Sequence, residues 1–389
     1  METFFSLLLY LGTFVVGLCL DNSRTNSRYL RLYTLWLYIF LCFGYMTGSD
    51  WRAYELDYYH YTDFQDSIRS GRRLPELGFW FVFFTLKTIF RDFFIVIGIL
   101  KALYLYSLIK LLKSITDYWT ASISILLPTS LAFMLIDNPL RYMTALIFVN
   151  WALYFFIQGK QKKGLVVLSM SVLFHNTCIV LLPIFLFFSK FTKVLKLNNV
   201  VLWVTYLAVF FLFMDGGPVD SLLQQFQTLM VAFVGKDYNS YTQINEEAVF
   251  TLGSILNIAI FTLLLLLRNK ILSLKYGGLI FSCSVLGYFM DRILIFIPTG
   301  FRLGIPLGYF SAIAFASIIC KFRLTYYAKI LLVYFLLKFS KTLWNSYCYL
   351  PYSNSITYIL TSHKSYIERS EYNYSHFMRR MGKEYDRQR

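Results

Sequence analysis

Apolar stretches of about 20 residues, separated by short polar connectors, recur along most of the chain. A helix rises 1.5 Å per residue, so a stretch of about this length crosses a hydrocarbon core of roughly 30 Å. Lipid cannot satisfy an open backbone, and the sequence lacks the short alternating segments typical of membrane barrels. The pattern predicts an all-α, polytopic integral membrane protein with about 10–12 transmembrane helices plus short re-entrant or broken helices.

The same pattern predicts the organisation of the chain. One transmembrane domain covers residues 1–344, and a polar, basic tail covers 345–389. External loops are expected at about 48–75 and 215–247, and residues 77–90 are short enough to re-enter the membrane rather than cross it. Individual spans are expected at 4–20, 29–47, 93–112, 197–214, 249–267, 276–297, 303–320 and 324–344.

Composition and charge narrow the class of protein. Apolar residues make up 57% and charged residues 15% of the chain, which excludes an ordinary soluble domain. The net charge of +16 lies mostly in short connectors, as the positive-inside rule describes, so nucleic acid is not an expected partner. The basic connector at 24–31 places the N-terminus outside, and the alternation of spans then places the tail outside too. Because the tail is itself basic and so departs from the rule, a miscount of one span near the end is the alternative. The six cysteines show no CxxC spacing and indicate neither disulfides nor a metal site.

The segment "SVLFHNTCIVLLP" contains a single His175 within an apolar run, 165–188, that begins and ends at basic connectors. A run that starts and ends on one side must turn back. At 24 residues it is too short for two ordinary spans. We therefore expect two short or broken helices that meet near His175. A buried histidine satisfied by a neighbouring helix is the alternative.

Other polar residues are predicted at the outer ends of helices. Asp50 follows Gly48 at a helix exit, and Arg141 and Arg302 open helices that run inward. A guanidinium near a helix N-terminus suits an anion such as phosphate. Arg292, beside Asp291, lies within a span. The alternatives are arginines that extend to the lipid headgroups and a purely structural Asp–Arg pair.

Six short motifs follow one another in a recognisable order: "GSDWRAY", "LPELGFW", "NPLRYMTALIF", "LFHNTCIVLLP", "FRLGIPLGYF" and "LPYS". Together they resemble the EpsG family of Wzy-type polysaccharide polymerases over most of residues 44–352. Gly48 and Asp50 match the family's glycine-aspartate pair with Ser49 between them. Glu76 matches its glutamate-proline-glycine-phenylalanine stretch with Leu77 in place of proline. Arg141 matches the arginine that commonly precedes a glutamine-alanine helix, with Tyr142 following it in this chain.

The resemblance implies a fold like that of C-type glycosyltransferases and a place in the bacterial cytoplasmic (inner) membrane. It implies polymerisation of capsule, exopolysaccharide or O-antigen repeat units on the outer, periplasmic face. Donor and acceptor would both be oligosaccharides linked to a polyprenyl (undecaprenyl) diphosphate. A chain-length regulator and a flippase are the expected protein partners within the lipid bilayer.

The chemistry of such a transfer assigns roles to the candidate residues. No DxD motif stands in a plausible external site, so the reaction is expected to need no metal or other cofactor. Arg141, Arg302 and Arg292 are the candidates that bind the substrate diphosphate. His175 or Asp50 would accept the proton of the attacking hydroxyl, with Glu76 in reserve.

Two other readings of the sequence stay open. A C-type glycosyltransferase that uses a polyprenyl-phosphate sugar would also need arginines, together with acidic residues in its first external loop. A flippase or transporter of lipid-linked saccharides would also contain broken helices and intramembrane charge.

Overall fold

The computed structural model describes residues 2–20, 27–48, 50–69, 76–186, 195–212, 252–293, 301–322, 325–344, 349–350, 352–356, 367–372 and 374–375. Within these ranges the protein is 86% helical and contains no β-strand, which confirms the predicted all-α class. The expected external loop at 215–247 lies outside the described residues, as does most of the tail.

In chain order, the α-helices of the described residues up to 344 are α1 (Glu2–Leu20), α2 (Ser27–Leu37), α3 (Trp51–His60), α4 (Phe64–Arg69), α5 (Leu77–Phe90), α6 (Phe93–Ile115), α7 (Trp119–Leu126), α8 (Leu140–Ile157), α9 (Gln161–Ser171), α10 (Leu181–Leu186), α11 (Asn199–Leu212), α12 (Leu252–Leu266), α13 (Arg268–Leu272), α14 (Gly277–Ile293), α15 (Phe301–Cys320) and α16 (Thr325–Trp344).

Several of these helices can cross a membrane. In the described ranges, α6, α8 and residues Arg302–Cys320 of α15 are long and apolar enough to do so by length and composition. Shorter apolar helices of 10–17 residues accompany them, including α1, α5 and α11. The protein is therefore a polytopic membrane protein.

The chain groups into two compact units. The first contains residues 1–179 and 329–389, and the second contains 180–328. In the first, α8 packs against α6 and α9, and α7 packs against α1. In the second, α14 packs along α15, and α11 packs against α12 and α14.

The second predicted span and the first predicted loop differ from the structure. The span was expected at 29–47, but α2 ends at Leu37 and a π-helical turn completes it at Cys42. Residues 43–45 instead pair with residues 353–355: Tyr45 N donates to Ser353 O (2.9 Å) and Ser355 N donates to Phe43 O (2.7 Å). Backbone groups that bond to residues 353–355 cannot also make helical hydrogen bonds, so the helix does not continue through residues 43–45. The expected loop at 48–75 contains the helices α3 and α4.

The segment between α7 and α8 positions the start of α8. Pro128 lacks an N–H, and two π-helical turns, Leu127–Leu131 and Phe133–Asp137, follow α7. Asn138 then adopts a left-handed conformation (φ 65°) and donates from Nδ2 to Thr47 O at 2.6 Å. Helix α8 begins at Leu140, two residues later, which confirms that Arg141 lies in its first turn.

The predicted break near His175 is also confirmed. Helix α9 ends at Ser171, a 3₁₀ segment covers Asn176–Val180, and α10 follows. His175 lies in the interruption, where its backbone N–H bonds Ser171 O at 3.0 Å. Because His175 is not part of a helix, its side chain does not have to project from a regular helical surface.

Part of the C-terminal tail lies beside α3. The guanidinium carbon of Arg52 is 5.8 Å from the ring centre of Tyr374, and Tyr372 OH donates to Leu350 O at 3.2 Å. The tail and the first loop therefore share one side of their unit, as the alternation of spans predicts. That this side is external stays a prediction.

Candidate functional site

A close backbone contact joins the start of α5 to the interruption at His175. Gly78 N donates to Leu173 O at 3.0 Å, and a Cβ added at Gly78 would lie 2.9 Å from that oxygen. Only glycine permits this approach without a shift of the chain. Glu76, two residues earlier, has a left-handed backbone (φ 69°, ψ 56°), which is uncommon for a residue with a side chain. This conformation and the contact at Gly78 bring Glu76 beside the break.

The Glu76 carboxylate binds three donors from two other segments. Its Oε1 lies 2.6 Å from His175 Nδ1 and accepts the backbone N–H of Asn176 at 3.2 Å. Its Oε2 accepts from Arg141 Nη1 at 2.7 Å. The Glu76 side chain is only 4% exposed. The carboxylate thus connects the imidazole of the broken helix to the guanidinium at the start of α8.

Arg141 is held at two of its nitrogens. Besides Nη1, its Nε donates to Tyr54 OH on α3 at 3.3 Å. Its Nη2 makes no hydrogen bond to any residue that the structure describes. About a third of the side chain is exposed (33%), so the guanidinium can meet a ligand without first losing its contacts to the protein. Such a fixed, planar donor suits an oxyanion.

The electrostatics of the cluster favour an ionised Glu76. Burial raises the pKa of this carboxyl, but the hydrogen bond and charge of His175 and the charge of Arg141 outweigh burial and hold its pKa below the ordinary value. Burial likewise raises the pKa of Tyr54, which Arg141 only partly offsets, so Tyr54 keeps its proton.

The ionised Glu76 determines which nitrogen of His175 carries a proton. A carboxylate only accepts hydrogen bonds, so Nδ1 must donate, and in the neutral ring the lone pair is then at Nε2. The ring also meets Tyr142 edge-on, with centroids 5.3 Å apart. The His175 side chain is 13% exposed. The imidazole is therefore oriented from two sides, and in its neutral form it presents a lone pair at Nε2.

Asp50 lies near this cluster through α3. Its backbone N–H bonds Asp137 O at 3.4 Å, and its carboxylate raises the pKa of Tyr54 by its charge. Gly48 makes the approach feasible, since it has φ 87° and a Cβ there would lie 2.2 Å from Ile136 O. The structure thus places Asp50 beside Tyr54, the residue that holds Arg141.

Arg292 and Arg302 belong to the second unit. The Arg292 guanidinium is buried, donates to Phe210 O at 3.0 Å from Nη2, and stacks 4.1 Å above the Phe210 ring. These contacts join α14 to α11 and favour a structural role for Arg292. Arg302 is half-buried in the first turn of α15, as the sequence predicts.

The structure adds two residues to the site that the sequence motifs do not indicate. Tyr54 holds Arg141, and the backbone of Asn176 binds Glu76. The sequence does give an indication for Tyr54, because Tyr54 lies one helical turn after Asp50 and therefore on the same face of the helix. No group of three or more His, Cys, Asp or Glu side chains able to hold a metal occurs in the described part of the chain.

The fold and the cluster define the class of protein. It is a helical membrane protein in which a buried carboxylate joins a histidine at a helix break to an arginine at a helix start. The chain belongs to the EpsG family, a family of Wzy-like polysaccharide polymerases, which it matches over residues 27–354. A polymerase-type role in polysaccharide synthesis follows from this membership. No curated protein and no solved structure matches the chain.

Proposed function

We propose that this protein polymerises oligosaccharide repeat units linked to a polyprenyl diphosphate. Glycosyl transfer takes place at the Glu76 cluster, which consists of Glu76, His175 and Arg141. The supporting observation is the bridge from one buried carboxylate to both a candidate base and a candidate anion ligand. The two functions needed for transfer, proton removal and leaving-group stabilisation, are therefore next to each other.

His175 is the proposed base and Glu76 its positioning residue. Glu76 holds the proton on Nδ1, so Nε2 accepts the proton of the acceptor hydroxyl. Glu76 then faces the imidazolium that forms, and its negative charge stabilises it. Asp50 is the alternative base, and its place beside Tyr54, which holds Arg141, supports this role.

Arg141 is the proposed ligand of the departing diphosphate. Charge develops on that group as its bond to the sugar breaks, and a fixed guanidinium in a poorly hydrated site stabilises such charge. Tyr54 and Glu76 fix the orientation of Arg141 beforehand. Arg302 is a second proposed ligand, and Arg292 is a weaker one because its nitrogens bind a backbone carbonyl.

The transfer is a single displacement. The acceptor hydroxyl oxygen forms a bond to C1 of the donor sugar while the bond from C1 to the diphosphate oxygen breaks. The hydroxyl proton goes to His175, and the electron pair of the broken bond stays on the diphosphate. The configuration at C1 is inverted. No metal takes part in the proposal, because arginines supply the positive charge.

The proposed location is the outer face of the bacterial cytoplasmic membrane. The basic connectors support this orientation through the positive-inside rule. A flippase would supply the lipid-linked repeat unit from the inside, and a chain-length regulator would act on the growing polymer.

Purified, reconstituted protein tests the proposal. It should lengthen a polyprenyl-diphosphate oligosaccharide in the presence of EDTA and without any nucleotide sugar. His175→Ala, Arg141→Ala and Arg302→Ala should abolish the product ladder. The matched controls His60→Ala and Arg69→Ala change exposed residues of the same region and should leave it intact. A strict need for a nucleotide sugar, or full-length ladders from His175→Ala and Arg141→Ala, would refute the proposed reaction.

A further inference from the structure

Residues 352–356 lie against the end of the second helix, which consists of α2 and its π-helical turn Tyr38–Cys42. Both segments belong to the first unit. Asn354 faces Gly44 in an antiparallel bridge, flanked by the two backbone hydrogen bonds of residues 353 and 355. The Asn354 side chain is only 3% exposed. A residue of the C-terminal part of the chain is thus buried at the end of a helix that the N-terminal part forms.

Asn354 supplies a hydrogen-bond donor to this helix end. Its Nδ2 donates to Ile39 O at 2.8 Å, and its Oδ1 accepts the backbone N–H of Ile356 at 3.0 Å. Tyr352 OH donates to Phe40 O. The last carbonyls of a helix have no partner within it, and lipid offers none. Asn354 and Tyr352 therefore cap the π-helical turn in place of a further helical turn.

The apolar sequence after Cys42 favours a longer helix, because its pattern predicts a span through residue 47. Residues 43–48 are instead non-helical, with a left-handed backbone at Met46 (φ 50°) and Gly48 (φ 87°). A helix rises about 1.5 Å per residue, which is less than half the rise of an extended chain. Where the second helix ends therefore decides where Thr47 and Asp50 lie.

The residues after this cap contact the stretch that precedes α8. Thr47 O accepts from Asn138 Nδ2 at 2.6 Å. Asp50, which directly precedes α3, donates its backbone N–H to Asp137 O at 3.4 Å. The start of α3 is thus placed beside the start of α8 by the course of the chain that leaves the second helix.

Helix α3 extends this series of contacts to Arg141. Tyr54, in the first turn of α3, accepts the hydrogen bond from Arg141 Nε at 3.3 Å. A second helix that continued past Cys42 would carry α3 away from this position. We infer that Asn354 is a positioning residue for the transfer reaction: it ends the second helix at Cys42 and so holds α3 where Tyr54 can fix Arg141. This inference rests on the proposed function of the Glu76 cluster.

Chemical modification of Arg141 in the purified full chain tests the inference without any substrate. Phenylglyoxal reacts with guanidinium groups, and peptide mass spectrometry gives the rate at each arginine. Asn354→Ala should raise the rate at Arg141 about fivefold, as Tyr54→Phe should, because each variant costs the guanidinium one hydrogen bond. The rate at the exposed Arg69 should not change. The matched control Asn269→Ala alters an exposed asparagine of the second unit and should leave the rate at Arg141 unchanged.

Chain elongation by the reconstituted protein gives a second readout. Asn354→Ala should lower kcat/KM about fivefold, as Tyr54→Phe should. Because both changes act through the orientation of Arg141, the double variant should also be about fivefold slower, rather than about 25-fold. A residue that only stabilised the fold would act independently of Tyr54, and the two effects would multiply.

Tyr352→Phe is a milder change of the same cap, for use where Asn354→Ala does not yield monodisperse protein. It removes the hydroxyl that donates to Phe40 O but keeps the ring, which packs against Phe40 and Tyr10. The rate of modification at Arg141 should again rise, by a smaller factor than in Asn354→Ala.

The outcomes separate this inference from the proposed function. Wild-type reactivity of Arg141 in both cap variants, or effects that multiply in the double variant, would overturn the role of Asn354, and elongation by the wild-type protein would still support the proposed function. If the wild-type protein makes no polymer but Asn354→Ala increases the reactivity of Arg141, the proposed function fails and the positioning of Arg141 by Asn354 stands.

Discussion

Replacing Glu76 with glutamine is the sharpest test of the candidate site. Glutamine keeps the volume of the side chain and one accepting oxygen, but it removes the charge and puts an NH₂ group on the other side. Oε1 of Glu76 receives two donors, from His175 and Asn176, whereas Oε2 receives only Arg141. The amide oxygen therefore takes the Oε1 position, and the NH₂ group faces the Arg141 guanidinium. Both groups are hydrogen-bond donors, so they cannot bond each other.

The expected effect follows from the contacts that this exchange removes. The bond from Arg141 Nη1, 2.7 Å long and between charged groups, is lost. A hydrogen bond to a charged group contributes about 1.5–3 kcal/mol. The stabilisation of the imidazolium by the carboxylate charge is lost as well. The first loss corresponds to a decrease of about 10–10² in the rate of transfer, at about 1.4 kcal/mol per factor of ten, and the second lowers the rate further.

The assay is chain elongation by the purified, reconstituted protein under single-turnover conditions. Glu76→Gln should lower the rate of transfer, while the protein remains monodisperse in detergent. Asp66→Asn is the matched control, because the Asp66 carboxylate is exposed and bonds Thr62 within its own turn. It should retain the wild-type rate.

One outcome would refute this reasoning. If Glu76→Gln elongates chains at the wild-type rate and with the wild-type pH profile, the carboxylate neither orients His175 nor holds Arg141 for the reaction. The cluster would then be a structural contact between α5, α8 and the interrupted helix.

Three further predictions concern the same contacts. Gly78→Ala places a methyl group 2.9 Å from Leu173 O; it should lower the free energy of unfolding by about 1–3 kcal/mol and also slow elongation, as a melting curve and product ladders would show. Tyr54→Phe removes the acceptor of Arg141 Nε and should lower kcat/KM about fivefold, for the loss of about 1 kcal/mol; an unchanged value would contradict this role. The lowered pKa of Glu76 means that its contribution to stability is present above its ordinary pKa of 4.5 and is lost as the pH falls through the folded value. Melting temperatures in detergent should show this acid loss in the wild type and a smaller one in Glu76→Gln.

Local features of the site could be predicted from neighbouring residues alone. Pro139 and the apolar run after it predict a helix that begins near Arg141, and the basic connectors on both sides of the His175 run predict its interruption. The central position of Glu76 could not be predicted, because nothing in "LPELGFW" shows that the left-handed backbone of Glu76 points its carboxylate at the interruption. The π-helical turns after α7 and the pairing of 43–45 with 353–355 were equally absent from the sequence pattern.

Hydropathy, charge and proline act within a few residues, so the membrane environment, the helical class and the polar groups at the helix ends could all be predicted from the order of amino acids. That Glu76, Arg141 and His175 form one cluster is visible only in the folded protein. Their contacts span 65 and 99 positions along the chain. Such contacts depend on how α5, α8 and the interrupted helix pack together, down to the absence of a side chain at Gly78.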